Sequence, residues 1–456
     1  MSTHTVNVAD VIDRSRLGGL QYLVLGLCAL CQVIDGFDVQ AMGYVAPAVL
    51  KQWGIAKADL GPVFGAGLIG MALGALTLGP VADRIGRRPV LIAAMLCLGI
   101  CMFATSQATS VRQLLILRLV TGVSMGAIIP NTIALAGEFS PARIRVTLMM
   151  ITSSGFIVGG AVGGIIAAAL IPAFGWSSVF LVGAIAPLLL AVAMIVAMPE
   201  SLQFLAMQGR RLDRVRASLK RIEPGLAIST DTEVVVPERK KQGAPIAQLF
   251  RDALGTGTVL LWVVNFMNLL AAYFLANWLP VIMTEAGHGT SQAVLAGTIF
   301  WVGGIAGNLL LGWFVDRRGF GPTLAINFIL GAVAIATIGQ VASSLVPAFV
   351  AITAAGFCVL GGQTALNALA AVYYPTSVRS TGMGWAMGIG RFGSIFGPVI
   401  GGELMRLNWQ TADLFVAAAV PAVLALLAIL AFWRSGNLPV SATAAKAVPA
   451  SATVHA

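Results

Sequence analysis

Four ionisable side chains stand well inside apolar stretches of this sequence: Asp35, Asp38, Arg118 and Arg391. A charge in such a setting is costly unless it is paired or put to use. Asp35 and Asp38 are three residues apart and share one helix face, which Cys28 and Cys31 continue. If Arg118 pairs with one carboxylate, the other is suited to load and release a proton. Arg391 carries a planar fork that matches a carboxylate bidentately. No acidic residue lies at matching depth in the C-terminal part of the chain, which favours an external anion as its partner. His4, His288 and His455 fall outside the apolar stretches, so a proton relay here has to use carboxylates. There is no metal-ligand spacing, nucleophile elbow or phosphate loop, so neither a cofactor nor an enzymatic centre is expected.

The elements that hold these groups are membrane spans. Of 456 residues, 58% are hydrophobic and only 10% charged, too few charges to cover a soluble fold of this length. The apolar residues come in blocks of about 20, enough to cross a bilayer as a helix. Twelve spans are expected, at 18–42, 60–82, 89–107, 112–136, 147–170, 178–198, 256–281, 292–315, 323–341, 346–372, 381–404 and 412–433. They divide the chain into an N-terminal six-helix bundle (1–199), a cytosolic linker (200–255), a C-terminal six-helix bundle (256–434) and a disordered tail (435–456). The linker is basic, with Arg210, Arg211, Arg214, Arg216, Lys220, Arg221, Arg239, Lys240 and Lys241. No apolar core precedes Asp10, Asp13, Arg14 and Arg16, so no cleavable signal peptide is expected. Cys28, Cys31, Cys97, Cys101 and Cys358 all sit in apolar blocks, which argues against a disulfide framework.

The net charge of +10 does not point to nucleic acid, because the basic residues sit in loops beside spans. With both termini cytosolic, Arg84, Arg87, Arg88, Arg143, Arg145, the linker, Arg317, Arg318, Arg379 and Arg434 all face inward. The outer loops then keep only Lys51, Lys57, Arg112 and Arg406. In this orientation the two aspartates lie in the outer half of span 1, and Arg118 about two turns in from the outer end of span 4. Their depths match.

The chain also repeats. Gly79-Pro-Val-Ala-Asp83-Arg84-Ile-Gly86 returns as Gly312-Trp-Phe-Val-Asp316-Arg317-Arg-Gly319, 233 residues on. Pro141-Ala-Arg-Ile-Arg145 returns as Pro375-Thr-Ser-Val-Arg379, and Gly159 and Gly163 as Gly393 and Gly397, each 234 residues on. Two equivalent halves place a transport site at their interface, near the bilayer midplane.

Gly79-x-x-x-Asp83-Arg84-x-Gly86-Arg87-Arg88 resembles the signature of the major facilitator superfamily, and the copy at 312–319 resembles a degenerate form that has Phe320 and Gly321 in place of the last two basic residues. The glycines permit a tight turn and close helix approach. The resemblance implies a loop that latches the halves in one state and releases them in another. Within the superfamily, Asp35-Gly36-Phe37-Asp38 resembles the Asp-Gly-x-Asp signature of the aromatic acid:proton symporter family. Tyr374-Pro375-x-x-x-Arg379-x-Thr381-Gly382 and Gly390-Arg391-x-Gly393-x-x-x-Gly397-Pro398 agree with it, and Pro199-Glu200-Ser201 resembles a sugar-porter signature. The implied fold is an all-α membrane protein of two pseudo-symmetric six-helix bundles. The implied activity is proton-driven uptake of a benzoate-like acid across the bacterial inner membrane, by a monomer.

On this reading Asp35, Asp38 and Arg118 handle the proton and Arg391 holds the substrate carboxylate. Gln363, Asn367, Tyr273, Asn268 and Trp278 are candidate partners for the ring and its hydroxyls. Three alternatives stay open: a symporter of a non-aromatic acid, a proton-antiport exporter and a non-transporting sensor. Gly160 stands where the antiporter motif has proline, which weighs against export. The linker is too short and too charged for the folded domain a sensor would add.

Overall fold

In a bilayer a helix satisfies its own backbone groups, so each apolar block is expected to fold as one continuous helix. A computed structural model describes residues 5–209, 212–223, 225, 233–235, 246–251, 254–375 and 378–435. The helices are α1 (Val8–Arg14), α2 (Gly19–Trp53), α3 (Leu60–Ile85), α4 (Arg87–Ser106), α5 (Val111–Phe139), α6 (Arg145–Phe174), α7 (Ser177–Ala197), α8 (Leu202–Met207), α9 (Leu212–Ile222), α10 (Leu254–Glu285), α11 (Thr290–Arg318), α12 (Phe320–Val341), α13 (Leu345–Tyr373), α14 (Arg379–Arg406) and α15 (Thr411–Arg434). Two three-residue strands, β1 (Thr5–Asn7) and β2 (Glu233–Val235), pair in parallel. Arg210, Arg211, Arg239, Lys240, Lys241 and the tail beyond Ser435 lie outside the described residues.

Among the described residues, eleven helices are long and apolar enough to cross a membrane. The remaining expected span is α14, a continuous 28-residue helix whose hydropathy is lowered by Arg391, Glu403 and its many glycines. The first span runs past its expected end at 42, because Tyr44, Val45, Ala46 and Val49 are fully buried and continue the helix. Gly86, Gly175 and Gly319 end or divide helices at positive φ (107°, 79° and 79°), a conformation that only glycine adopts without strain.

The described chain divides into two compact units, one of Met1–Ala48 with Ala66–Lys241 and one of Val49–Gly65 with Gln242–Ala456. The segment Val49–Gly65 joins the second unit through contacts of its own. Lys57 pairs with Glu285, and Phe64 meets Trp278 edge-on at 5.2 Å.

Packing inside the two units repeats. In the first, the α3 glycines Gly70 and Gly74 abut the main chain of α5 at Leu119 and Val123. In the second, the α11 glycines Gly303 and Gly307 abut α13 at Thr353 and Phe357. Likewise Gly159 of α6 meets Val33 of α2, and Gly393 of α14 meets Phe266 of α10. These pairs keep the spacing of 233–234 residues read from the motifs, so the repeat is one of helix contacts as well as of sequence.

Candidate functional site

The acidic pair sits on α2, where α6 approaches closely. A Cβ on Gly36 would collide with the main chain of Phe156, so the glycine between the two aspartates is what lets α6 lie against this turn. Both aspartates are fully buried, and Arg118 on α5 is 4% exposed. Arg118 commits its terminal nitrogens to Asp38: Nη2 donates to Oδ1 at 3.0 Å and Nη1 to Oδ2 at 3.2 Å. Nη1 also lies 3.4 Å from the Asp38 carbonyl oxygen, and the guanidinium stands over the Phe180 ring at 5.3 Å. Of the two carboxylates, Asp38 therefore carries the pairing with Arg118. Asp35 lies one turn earlier, in the same dry setting. One turn further back, Gln32 donates to Thr132 Oγ1 at 2.8 Å and ties α2 to α5.

The α3–α4 turn is built around a carboxylate that sequence reasoning did not single out. Gly86 leaves room for the Glu200 side chain, whose Oε1 accepts the main-chain N–H groups of Arg87 (3.0 Å), Arg88 (3.2 Å) and Ser201 (2.8 Å). A negative charge at the first turn of α4 also meets the positive end of the helix dipole. Arg87 pairs with Glu138 at the end of α5, and Ser201 Oγ donates to the same carboxylate while accepting the Phe204 N–H at 3.0 Å. Arg88 Nη2 donates to the Ile195 carbonyl at 2.6 Å. Gly79, Asp83 and Arg84 lie on the last turns of α3, the latter two exposed. The short Pro199-Glu200-Ser201 match was the signal for this anchor.

Replacing Glu200 by Ala strips the acceptor from three N–H groups. The expected effect is a loss of about 1–3 kcal/mol, seen as a thermal midpoint lowered by a few degrees in detergent. Glu200→Gln, which keeps an acceptor oxygen, should recover most of it. An unchanged midpoint in the Ala variant would show that the carboxylate does not hold the turn.

In the second unit the equivalent turn is stripped of this charge set. Asp316 and Arg317 end α11, both exposed, with the Arg317 guanidinium 4.0 Å from the Trp313 ring centre. The positions 234 residues after Glu138 and Glu200 hold Val372 and Arg434, so the acids went together with the missing basic pair. The Pro-x-x-x-Arg turn does repeat. Arg145 Nε donates to the Ser140 carbonyl and Arg379 Nε to that of Tyr374, each at 3.2 Å. The Tyr374 ring covers Gly382, and burial pushes its hydroxyl above the usual range. It stays protonated, 3.3 Å from Thr258 Oγ1.

Among the described residues the Arg391 side chain has neither an ion-pair nor a hydrogen-bond partner. On α14 the glycines Gly393, Gly397 and Gly401 face α10, whereas Trp385, Phe392 and Phe396 are exposed. At 3.6 residues per turn Arg391 falls on a third face, and it is half-buried. Its neighbour Gly390 abuts Leu269 and Asn265. Asn265 opens an amide cluster between α10 and α13. Gln363 Nε2 donates to Asn265 Oδ1 (2.9 Å) and Asn367 Oδ1 (3.2 Å), while its Oε1 accepts from Asn268 Nδ2 (2.9 Å). Gln363 and Asn367 remain partly exposed. Tyr273 is half-buried one turn further along α10.

Trp278 departs from its expected place in this group. It is fully buried, donates Nε1–H to the Pro398 carbonyl at 2.9 Å and packs against Gly401, so it fastens α10 to α14.

The Major Facilitator Superfamily sequence profile matches residues 28–346 and 261–454. The chain is 39% identical to a gallate transporter of Pseudomonas putida, over 97% of this chain and 98% of the relative. It is 40% identical to the 4-hydroxybenzoate transporter PcaK of Pseudomonas putida, over 93% and 95%. Among solved structures, a bacterial homologue of the human lysosomal transporter Spinster aligns with a TM-score of 0.73, covering 94% of this chain and all of that one. At 16% identity that is a likeness of fold alone.

Proposed function

This chain belongs to the major facilitator superfamily, and from that premise we propose that it imports a small aromatic carboxylate by proton symport. It is a multi-pass protein of the bacterial inner membrane and not an enzyme. The proposed topology counts α14 as the twelfth span and keeps both termini cytosolic, in line with the basic loops. The observation that carries the reading is Arg391, a half-buried side chain with no acid to neutralise it among the described residues, on the turn of α14 whose Gly390 abuts Asn265 of the amide cluster. A benzoate-like anion supplies that charge. Its ring hydroxyls find acceptors and donors at Asn268, Gln363 and Asn367.

Protons bind at the Asp35/Asp38 pair, with Arg118 holding Asp38. Neutralising both sites permits the halves to rock between outward- and inward-facing states as a monomer. The α3–α4 turn with Arg87, Glu138 and Glu200 acts as the latch. The test is uptake of labelled 4-hydroxybenzoate into proteoliposomes under an imposed pH gradient. Accumulation that collapses with a protonophore is expected. Uptake indifferent to the gradient would remove the symport claim, and no uptake of any aromatic acid would remove the substrate class.

A further inference from the structure

The first unit contains a basic cavity beside the α3–α4 turn. A cavity of about 810 Å³ opens where the ends of α3, α4 and α7 meet α8 and α9. Arg88, Arg214 and Arg221 line it, with Glu200 as the only acid on its wall among the described residues. Three guanidinium groups against one carboxylate leave the cavity with net positive charge, and that carboxylate is turned to the N–H groups of Arg87, Arg88 and Ser201. Arg88 Nε is buried there without a hydrogen-bond partner. Arg214 and Arg221 are exposed and form no ion pair among the described residues.

Most of the rest of the wall is apolar, with Gln208 and Ser218 as its other polar residues. Ile85, Ile195 and Val196 line it at 57%, 48% and 82% exposure. Val196 ends a stripe of outward-facing residues on α7, with Ile185, Leu189 and Val192 above it at helical spacing. A soluble anion has no use for such a wall. A phospholipid does, since its phosphate needs the guanidinium forks and its chains need the α7 stripe. The helix α9 buries Val215, Leu219 and Ile222 against the protein and lines the groove with Arg214, Ala217, Ser218 and Arg221, the two-faced pattern of a helix lying at a membrane interface.

We propose that this groove binds an anionic phospholipid of the inner leaflet, its phosphate between Arg88, Arg214 and Arg221 and its acyl chains along α7. Placing it at the inner leaflet rests on the orientation proposed above; the binding itself does not. Basic pockets at the ends of spans take acidic headgroups by this chemistry. Because Arg88 belongs both to this groove and to the α3–α4 turn, an occupied groove stiffens that turn.

The test uses the purified full chain, without substrate, in a neutral detergent. Phosphatidylglycerol, phosphatidylcholine and inorganic phosphate are titrated separately, and binding is read by native mass spectrometry and thermal shift. Phosphatidylglycerol should bind and stabilise, and the Arg214→Gln/Arg221→Gln variant should bind it about 30-fold more weakly. Both residues are exposed, and size-exclusion chromatography checks that the variant is folded. Equal binding of phosphatidylcholine, or unchanged affinity in the variant, overturns the site. Stabilisation by inorganic phosphate alone makes it an anion site and overturns the lipid. Failed aromatic-acid uptake with intact lipid binding would count against the transport reading only.

Discussion

Asp35→Asn is expected to yield a folded protein that no longer accumulates 4-hydroxybenzoate against its gradient. Asparagine keeps the shape of the buried side chain and removes only its ability to carry a proton, so coupling is lost while packing against α6 is kept. Asp38→Asn should behave differently. Its carboxylate is the partner of Arg118, which is 4% exposed, and removing one member of a buried pair costs about 3–5 kcal/mol. That variant should be both uncoupled and poorly stable. Adding Arg118→Gln removes the orphaned charge and should restore much of the stability without restoring accumulation. Counterflow in de-energised vesicles separates the effects, because exchange needs binding and rocking but no net proton movement. Normal accumulation by Asp35→Asn would end its role in coupling, whatever Asp38 did.

The contrast between the two aspartates was only half legible in the sequence. Their spacing placed them on one helix face, and matching depths made Arg118 a partner for one of them. Which one depends on the rotation of α5 against α2, set by contacts such as Gln32 with Thr132 that no local pattern announces. The spans were legible because blocks of about 20 apolar residues have few other ways to fold. The extension of α2 to Trp53 was not, because burial of Tyr44 and Val49 comes from neighbouring helices. Trp278 read as a ring partner because tryptophan fits either role. Its commitment to the Pro398 carbonyl is a tertiary fact.

The repeat is more informative once its contacts are known. Val33 and Phe266 are equivalent packing partners of Gly159 and Gly393, so the same 233-residue step relates Gln32 to Asn265 and Asp35 to Asn268. The first half has a carboxylate where the second has an amide. Both positions are buried. One half thus keeps groups that can change charge, and the other keeps neutral donors and acceptors that do not. This asymmetry accords with proton handling in the first half and ring recognition in the second.

Arg391→Ala is expected to weaken aromatic-acid binding by at least about 100-fold. Two charge-assisted hydrogen bonds to a carboxylate contribute roughly 1.5–3 kcal/mol each, and alanine removes both. The protein should still fold, because Arg391 has no acid partner among the described residues that the change would leave bare. In this it differs from Arg118→Ala, which strands the buried Asp38 carboxylate. Lysine at 391 keeps the charge but not the planar fork, so binding should fall between wild type and alanine. The discriminating ligand is methyl 4-hydroxybenzoate, which keeps the ring and hydroxyl but has no anionic oxygen. Its weak binding should be the same in wild type and Arg391→Ala, whereas 4-hydroxybenzoate should lose its advantage over the ester. Thermal shift and competition with labelled acid both read this difference. If Arg391→Ala still prefers the acid to its ester as wild type does, the carboxylate is held elsewhere. The half-buried cation on α14 would then serve the protein and not the substrate.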